Sequence, residues 1–389
     1  DEAFFIVNRI RELRQSEHSL REMAILYRSN AQSRVIEEAL MQFGIPYRVY
    51  GGLRYFDRAE IKDALAYLRI IANRSDDPAF ERIINTPTRG IGDRTLTVIR
   101  DHAKATGLTL WAALEQLLQQ KFFTARTENA LLAFVNLITS MTEKTLPLEL
   151  HKQVEYVLFA SGLMDHYRKE KGEKGLTRLE NLEELVNAAH QFTQEGVPDD
   201  MPPIAAFLAY AALESSEEQA EAYEDCVQLM TLHSAKGLEF PVVFLAGCEE
   251  ELFPHYLSMH DPKAIEEERR LCYVGVTRAM KKLYMTYAEL RRMHGKEAYH
   301  RPSRFLHEIP AELIHEIRFR AKVSRPQPIA STFKPEAQGK FRIGQEVHHR
   351  IFGDGTVIDL EGDGDDMKVK VRFAKVGTKM LIASYLSAK

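Results

Sequence analysis

An arginine closes the apolar run Leu271-Cys-Tyr-Val-Gly-Val-Thr-Arg278, which follows the charged helix start Glu266-Glu-Glu-Arg-Arg270. The segment is otherwise patterned for burial, and an unpaired charge in such a place is costly. The guanidinium of Arg278 therefore needs an anionic partner, and a triphosphate suits a planar, permanently charged fork. Alone, Thr-Arg-Ala also fits a surface arginine ending a helix, because cations favour the last helical turn. The second segment with chemistry in it is Val227-Gln-Leu-Met-Thr-Leu-His-Ser-Ala-Lys-Gly-Leu-Glu-Phe-Pro-Val-Val-Phe244. Its plainest reading is a strand running into a Ser/Gly turn and a helix cap.

Three further groups bear polar, basic or planar side chains. Tyr27-Arg28-Ser-Asn30-Ala-Gln-Ser-Arg34 follows an apolar strand, where ligand-contacting loops gather in α/β domains. Thr86-Pro-Thr-Arg89-Gly90-Ile-Gly92-Asp-Arg94-Thr95 resembles the Gly-x-Gly hairpin of helix-hairpin-helix DNA binders. Its glycines let backbone amides approach phosphates, and the helix that follows adds a positive N-terminus. A plain helix–turn–helix connector uses the same residues, but Arg89, Arg94 and Thr95 around the turn favour a sequence-independent, salt-sensitive duplex contact, with Thr86, Gly90 and Gly92 in the same site. Lys169–Arg178 is basic and punctuated by glycine, and reads equally as a second duplex contact or a solvated loop.

These residues need a scaffold. With 389 residues the chain exceeds one ordinary core and divides into several domains. Met23–Tyr27 reads as a strand, the pattern through Phe43 as a helix and Tyr47–Tyr50 as a second strand, the start of a parallel α/β layer. From Gly51 to about Tyr223 helices dominate, among them Glu60–Ala72, Phe80–Ile84, Leu96–Ala105, Leu110–Gln119, Thr127–Met141 and Leu179–Phe192. Strand-like runs then return at Val227–Thr231, Val242–Ala246 and Lys282–Tyr287, around a helix over Glu267–Met280. The economical arrangement is one α/β domain, 1–50 and 224–320, interrupted by a helical domain, 51–223. Residues 321–340, rich in Pro, Ser, Lys and Gln, read as a flexible linker. Over 341–389, Val, Ile and Phe alternate with polar residues around Gly353-Asp-Gly-Thr and Gly362-Asp-Gly-Asp turns, which predicts a small SH3/Tudor-like β-barrel.

The three cysteines, Cys226, Cys248 and Cys272, lack metal-type spacing and point to reduced thiols, so no metal site is expected on this chain. No apolar run is long enough for a membrane span. The start, Asp1-Glu-Ala-Phe-Phe-Ile, lacks an initiator Met and a basic region, and reads as the middle of a longer protein. A net charge of -4 would not by itself suggest nucleic acid, but an overall balance hides local patches.

Glu266-Glu-Glu-Arg-Arg-Leu-Cys-Tyr-Val-Gly-Val-Thr-Arg-Ala-Met280 and Thr231-Leu-His-Ser-Ala-Lys-Gly-Leu-Glu-Phe240 together resemble the second half of superfamily-1 DNA helicases of the UvrD/PcrA/Rep group. The likeness runs over almost the whole chain. It implies a RecA-like domain 2A interrupted by a helical, duplex-binding domain 2B. Arg278 would contact the ATP γ-phosphate across a domain cleft, and Glu239, with Gly237 beside it, would hold the ribose. Thr231, His233, Arg28 and Asn30 would touch single-stranded DNA. His255, in Phe253-Pro-His, and His294, in Arg291-Arg-Met-His-Gly, stand where the group stacks bases on planar side chains. At 294 the usual residue is Phe or Tyr, and an imidazole stacks less well.

The resemblance also sets what is missing. No Gly-Lys-[Ser/Thr] of a phosphate-binding loop occurs, since Gly295-Lys and Gly339-Lys are followed by Glu and Phe. No apolar strand ends in the Asp-Glu pair that would hold Mg²⁺. The expectation is the C-terminal portion of an ATP-dependent 3′-to-5′ helicase of the bacterial cytoplasm and nucleoid, acting in repair and replication. It would work on single strands and single-strand/duplex junctions, with ATP and Mg²⁺ shared with an N-terminal half; alone it would be inactive. The alternative is a non-catalytic binding module whose barrel recruits RNA polymerase or repair proteins. A helicase–nuclease is the weaker third option, for the short tail offers no nuclease carboxylates.

Overall fold

The computed structural model describes residues 2–16, 18–192, 201–216, 224–293, 296–317, 345–350, 352–361, 368–373, 377–382 and 386–388. The expected linker, 321–340, the Gly362 turn and His294 lie outside them. The chain forms two compact units, Asp1–His315 and Glu316–Lys389.

In the first unit five strands make a parallel sheet: β1 (Met23–Tyr27), β2 (Tyr47–Val49), β3 (Val227–Thr231), β4 (Phe240–Leu245) and β5 (Ala279–Met285), in spatial order β2-β3-β1-β4-β5. β1 is central, with Ala24 opposite Gln228 on one side and Val243 on the other. All five of its residues are buried, as its unbroken apolar sequence requires of a strand covered on both faces. Helices α1 (Glu2–Gln15) and α2 (Ser33–Gln42) cover one face. Ile6, Val7, Ile10, Ile36 and Leu40 pack there against Ile25, Leu229, Val242 and Phe244. α1 was legible in its apolar spacing at Ala3, Ile6, Val7, Ile10 and Leu13, though the sequence reading above leaves it out.

The crossover from β2 to β3 carries the helical insertion. Among the described residues it holds α3 (Ala59–Ala72), α4 (Asp77–Ile83), α5 (Asp93–Thr106), α6 (Leu110–Gln119), α7 (Ala125–Thr145), α8 (Leu150–Ala160), α9 (Leu163–Arg168), α10 (Glu173–Gln191) and α11 (Pro203–Ser216). Its core is separate from the sheet's and centres on Phe80, whose ring meets Trp111 and Phe134 edge-on at 6.2 and 5.9 Å. Asp76 and Thr109 cap α4 and α6 by accepting the N–H of Ala79 and Ala112. α10 begins at Glu173, six residues before its expected start at Leu179, so most of the basic stretch Lys169–Arg178 is helix rather than loop.

α12 (Pro262–Val276) and α13 (Arg304–His307) cover the other face of the sheet, with Leu271, Cys272 and Phe305 against Ala24, Leu26, Met230, Val243 and Leu245. Asp261 caps α12 and Pro262 opens it. The expected helix through Met280 stops at Val276, because the backbone N–H of Phe240 donates to the Arg278 carbonyl at 2.9 Å and draws the chain into β5. A hairpin of β6 (Leu290–Met293) and β7 (Lys296–Tyr299) follows. Among the described residues no helix is long and apolar enough to cross a membrane.

The second unit is an antiparallel sheet of β8 (Glu346–His349), β9 (Gly353–Glu361), β10 (Lys368–Phe373), β11 (Gly377–Ile382) and β12 (Leu386–Ala388), in order β11-β10-β9-β8-β12. Val347, Val357, Val369, Val371, Phe373 and Leu386 form its core. Gly353 pairs with His349 and so opens β9, one step after the turn in which the sequence put it. The whole is an α/β fold: a RecA-like parallel sheet interrupted by helices, followed by a small β-unit of the SH3/Tudor kind.

Phe80→Ala is expected to destabilise the chain by about 3–5 kcal/mol, the usual cost of emptying a buried aromatic site. Urea unfolding measures it, and a loss below about 1 kcal/mol would mean the insertion does not depend on this core.

Candidate functional site

Arg278 leaves the C-terminal end of α12 half-buried, and its guanidinium is held by neutral acceptors rather than by a carboxylate. Nε donates to the Val274 carbonyl at 2.9 Å, Nη1 to the Leu238 carbonyl at 2.8 Å and Nη2 to the Thr277 hydroxyl at 3.0 Å. The Leu238–Phe240 segment is thus tied to Arg278 twice, by its Leu238 carbonyl and by the Phe240 N–H. This brings Arg278 and Glu239 together where β4 and β5 begin. Glu239 is exposed, and so is Gly237, whose φ of +88° lies in the left-handed region that favours glycine. Among the described residues no side chain supplies the anionic partner that the sequence demanded of Arg278. Two carbonyls and a hydroxyl take three of its five N–H donors without neutralising its charge, which suits a group that meets an external anion.

A second set of residues gathers where β1 and β3 end. The Thr231 hydroxyl lies 3.0 Å from the Ser234 hydroxyl and accepts the Ser234 N–H, shaping the turn. His233 is exposed, with Nδ1 3.7 Å from Glu173. Arg28 donates from Nε and Nη2 to Glu268 at 2.8–3.0 Å, and its Nη1 lies 3.5 Å from Glu173. Burial works against its charge, but the bonds and charge of Glu268, aided by Glu173 and Glu180, outweigh that and hold its pKa above the ordinary arginine value. Asn30 is half-buried, and its carbonyl accepts from Arg58 at 2.9 Å. His255 is 5% exposed; its Nε2 meets Glu180 at 2.9 Å, and its Nδ1 accepts the Leu257 N–H. In this conformation the His255 ring offers no open face to a base, unlike the exposed platform expected of it.

The acidic partners are what the sequence reading missed. Glu268 is buried, and it joins Arg28 to the backbone N–H of His255. Of the three glutamates 266–268 it alone falls on the apolar face with Ile265, Leu271 and Gly275, so helical spacing was a usable signal. On α10, Glu173, Glu180, Glu184 and Gln191 are spaced by seven, four and seven residues, about two, one and two helical turns, and share one face. That face meets Arg28, Ser29, Arg34 and His255 of the α/β domain. No sequence pattern says what those acids touch.

In the hairpin of the insertion, Gly90 has φ +78°, and Gly92 precedes α5, where it is exposed together with Arg94. Thr95 is half-buried, and its N–H closes the first turn on the Gly92 carbonyl. The Thr86 carbonyl accepts the Tyr67 hydroxyl at 2.6 Å. Arg89 departs from its expected role, because its guanidinium turns inward. It donates to the carbonyls of Ile83, Pro87 and Ser161 and to the Tyr67 hydroxyl, fastening the hairpin to the start of α9. Arg291, beside the undescribed His294, is also inward and lies between the carboxylates of Glu2 and Glu249. All three cysteines are free and buried, and burial pushes the Cys272 thiol up to about 12, so it carries no reactive thiolate.

A family model described as "UvrD-like helicase C-terminal domain" matches residues 1–290, and one described as "PcrA/UvrD tudor domain" matches residues 343–386. DNA helicase II of Escherichia coli (strain K12) is 54% identical over 387 residues, covering 99% of this chain and 54% of that protein. DNA helicase II of Haemophilus influenzae is 50% identical over 387 residues, 98% of this chain and 53% of its own length. ATP-dependent DNA helicase PcrA of Bacillus subtilis (strain 168) is 37% identical over 409 residues, with 99% of this chain and 54% of its own covered. The chain therefore spans about half the length of the curated relatives it matches.

The Glu180 contacts give a pH test. Burial raises its carboxyl pKa, but hydrogen bonds from His255 and Ser29 and the charges of His255 and Arg28 outweigh it and hold the group below its ordinary 4.5. A depressed carboxylate contributes stability above that value and loses it as pH falls through the folded pKa. In thermal melts from pH 7 to pH 3, Glu180→Gln is expected to be less stable at pH 7 and to lose less than wild type below pH 4.5. Parallel curves would contradict the role given to this carboxylate.

Proposed function

The chain belongs to the UvrD-like helicase family, and on that premise we propose that it is the C-terminal portion of an ATP-dependent DNA helicase contributing half of the ATP site. The observation that carries this is the double tie between Arg278 and Leu238–Phe240, which holds an arginine with no carboxylate partner among the described residues against the segment that bears the exposed Glu239. In the intact enzyme Arg278 would meet the γ-phosphate and stabilise the charge building on the transferring group, while Glu239 accepts from the ribose hydroxyl beside Gly237. ATP is the substrate, accompanied by Mg²⁺. Among the described residues no three His, Cys, Asp or Glu side chains converge as a metal site. On this reading the metal ligands belong to an N-terminal half, and no step here runs through the ion.

Nucleotide-driven closure of the two halves would alternate the grip on single-stranded DNA and move the protein 3′ to 5′. Arg28, Asn30, Thr231 and His233 line the strand-end loops proposed to hold that single strand. His294 keeps its proposed stacking role from the resemblance alone. His255 would serve a strand only after its contact with Glu180 opens. At the junction, the exposed Gly90, Gly92 and Arg94, with the N-terminal turn of α5 at Thr95, would meet duplex phosphates. Thr86 and Arg89 brace that hairpin. Repair and replication in the bacterial cytoplasm and nucleoid are the setting that this reading implies.

The C-terminal unit supports an added recruitment role. Arg372 on β10 is exposed, and the neighbouring β11 is an edge strand carrying exposed Lys379, Met380 and Ile382. A basic and apolar edge of this kind fits an acidic partner segment, with RNA polymerase the candidate and repair proteins the other option. Arg372→Glu is expected to release purified RNA polymerase from the chain in a pulldown. Undiminished capture counts against this face.

For the ATP site, Arg278→Ala in the full-length protein is expected to lower DNA-stimulated ATP turnover by about 10³-fold or more, the scale of a lost arginine finger. DNA affinity should stay near wild type. Turnover within about tenfold of wild type would remove Arg278 from the γ-phosphate.

A further inference from the structure

Arg58 stands at the point where the chain leaves the α/β domain for the insertion, one residue before α3. It is 8% exposed, yet its guanidinium reaches three separate parts of the molecule. Nη1 donates to the carbonyl of Asn30, in the loop after β1, at 2.9 Å, and to the Oδ1 of Asn181 on α10 at 2.9 Å. Nη2 donates to the Ser33 hydroxyl at the start of α2 at 2.7 Å and lies 3.8 Å from Glu37. The Tyr55 ring lies beneath it, 5.3 Å away. Asn181, 1% exposed, donates in turn from Nδ2 to Glu60 on α3 at 2.6 Å, and its backbone carbonyl accepts the Tyr55 hydroxyl at 2.8 Å.

A planar fork with fixed donors can hold the loop, the insertion helix and α2 in one geometry; a lysine ammonium, a point charge, cannot reach all three. A buried guanidinium stripped of one acceptor would pay for the desolvated donor, so the arrangement resists small shifts of α10 against the loop. The loop it holds is the one bearing Arg28 and Asn30, and α10 carries Glu173, which faces Arg28 and His233. A displacement of the insertion is therefore carried through Asn181 and Arg58 to the Asn30 backbone, beside the direct contacts of α10 with Arg28, Ser29 and Arg34.

We propose that Arg58 is a positioning residue that couples the placement of the helical insertion, through Asn181, to the single-strand loop at residues 28–34. The proposal rests on the reading of that loop as a single-strand contact. Its consequence is that duplex bound by the insertion and single strand bound by the loop reinforce one another, the signature of a coupling energy between two sites.

The test compares this chain's affinity, by fluorescence anisotropy at fixed low salt, for an oligothymidylate and for the same strand as the 3′ tail of a duplex. Wild type is expected to prefer the tailed duplex. Asn181→Ala should lose about fivefold of that preference, the worth of one net hydrogen bond, while binding the single strand within about twofold of wild type. Arg58→Lys should lose the same preference, and keeps the test open if the alanine variant fails to fold. Equal losses on both DNAs would mark a merely structural role. That outcome, an unchanged preference in the variants, or no preference in wild type would each overturn the coupling. Arg28→Ala serves as the control: undiminished single-strand affinity there would overturn the reading of the loop itself, and the coupling with it.

Discussion

Two hydrogen bonds organise the end of the sheet where the proposed chemistry lies. The Leu238 carbonyl accepts from Arg278 Nη1, and the Phe240 N–H donates to the Arg278 carbonyl. The second bond starts the pairing of β4 with β5 at Phe240 and Ala279, before the register shifts at Val242, so the start of β5 and the position of the guanidinium are fixed together. Because α12 must bury Leu271 and Cys272 against the sheet, its last turn can deliver Arg278 only to this place. Three of the arginine's five N–H donors are then taken by neutral acceptors, and among the described residues no carboxylate pairs with it. On the proposed reading its anionic partner is the γ-phosphate, and the protein invests a half-buried cation in waiting for it.

The second constraint is that the insertion interrupts a crossover of the sheet and must be fixed to the domain it leaves. The seam that does this is polar. Arg34, 2% exposed, is held by Glu184 and Gln191 of α10, while Arg28 and His255 meet Glu173 and Glu180 of the same helix. Charged seams of this kind add little net stability over apolar packing, because desolvation offsets the Coulomb gain, but they fix geometry closely. An apolar seam would weld the domains; a hydrogen-bonded one has a defined register that other polar groups can replace. That DNA phosphates and the acids of α10 share the same basic and imidazole partners follows from this choice of chemistry, if the single strand lies where it is proposed to lie.

Much of the fold was legible in the sequence because its signals are local. The unbroken apolar run Met23–Tyr27 could only be a covered strand, and the span Leu110–Gln119 matched its helix residue for residue. Helix ends were read less well: α12 stops at Val276 because of a bond to Phe240, a partner 38 positions away that no periodicity reveals. The candidate site divides in the same way. Arg278 and Glu239 were found from motif residues, and the structure brings them together. The inward turn of Arg89 was not legible, since basic residues around a glycine turn look alike whether they face solvent or the carbonyls of Ile83, Pro87 and Ser161. His255 was taken for an exposed platform because its burial depends on Glu180, 75 positions earlier in the chain. Arg58 carries no motif at all, and only the meeting of three elements discloses it.

The central claim is that this chain holds one half of an ATP site, and complementation tests it most directly. Single-strand-stimulated ATP hydrolysis would be measured for the chain alone, for an N-terminal half carrying a phosphate-binding loop, and for the two mixed. The account predicts no stimulated hydrolysis by this chain alone and its appearance on mixing. Stimulated hydrolysis by the chain alone would contradict it, for that would require a complete nucleotide site among residues here assigned to only half of one.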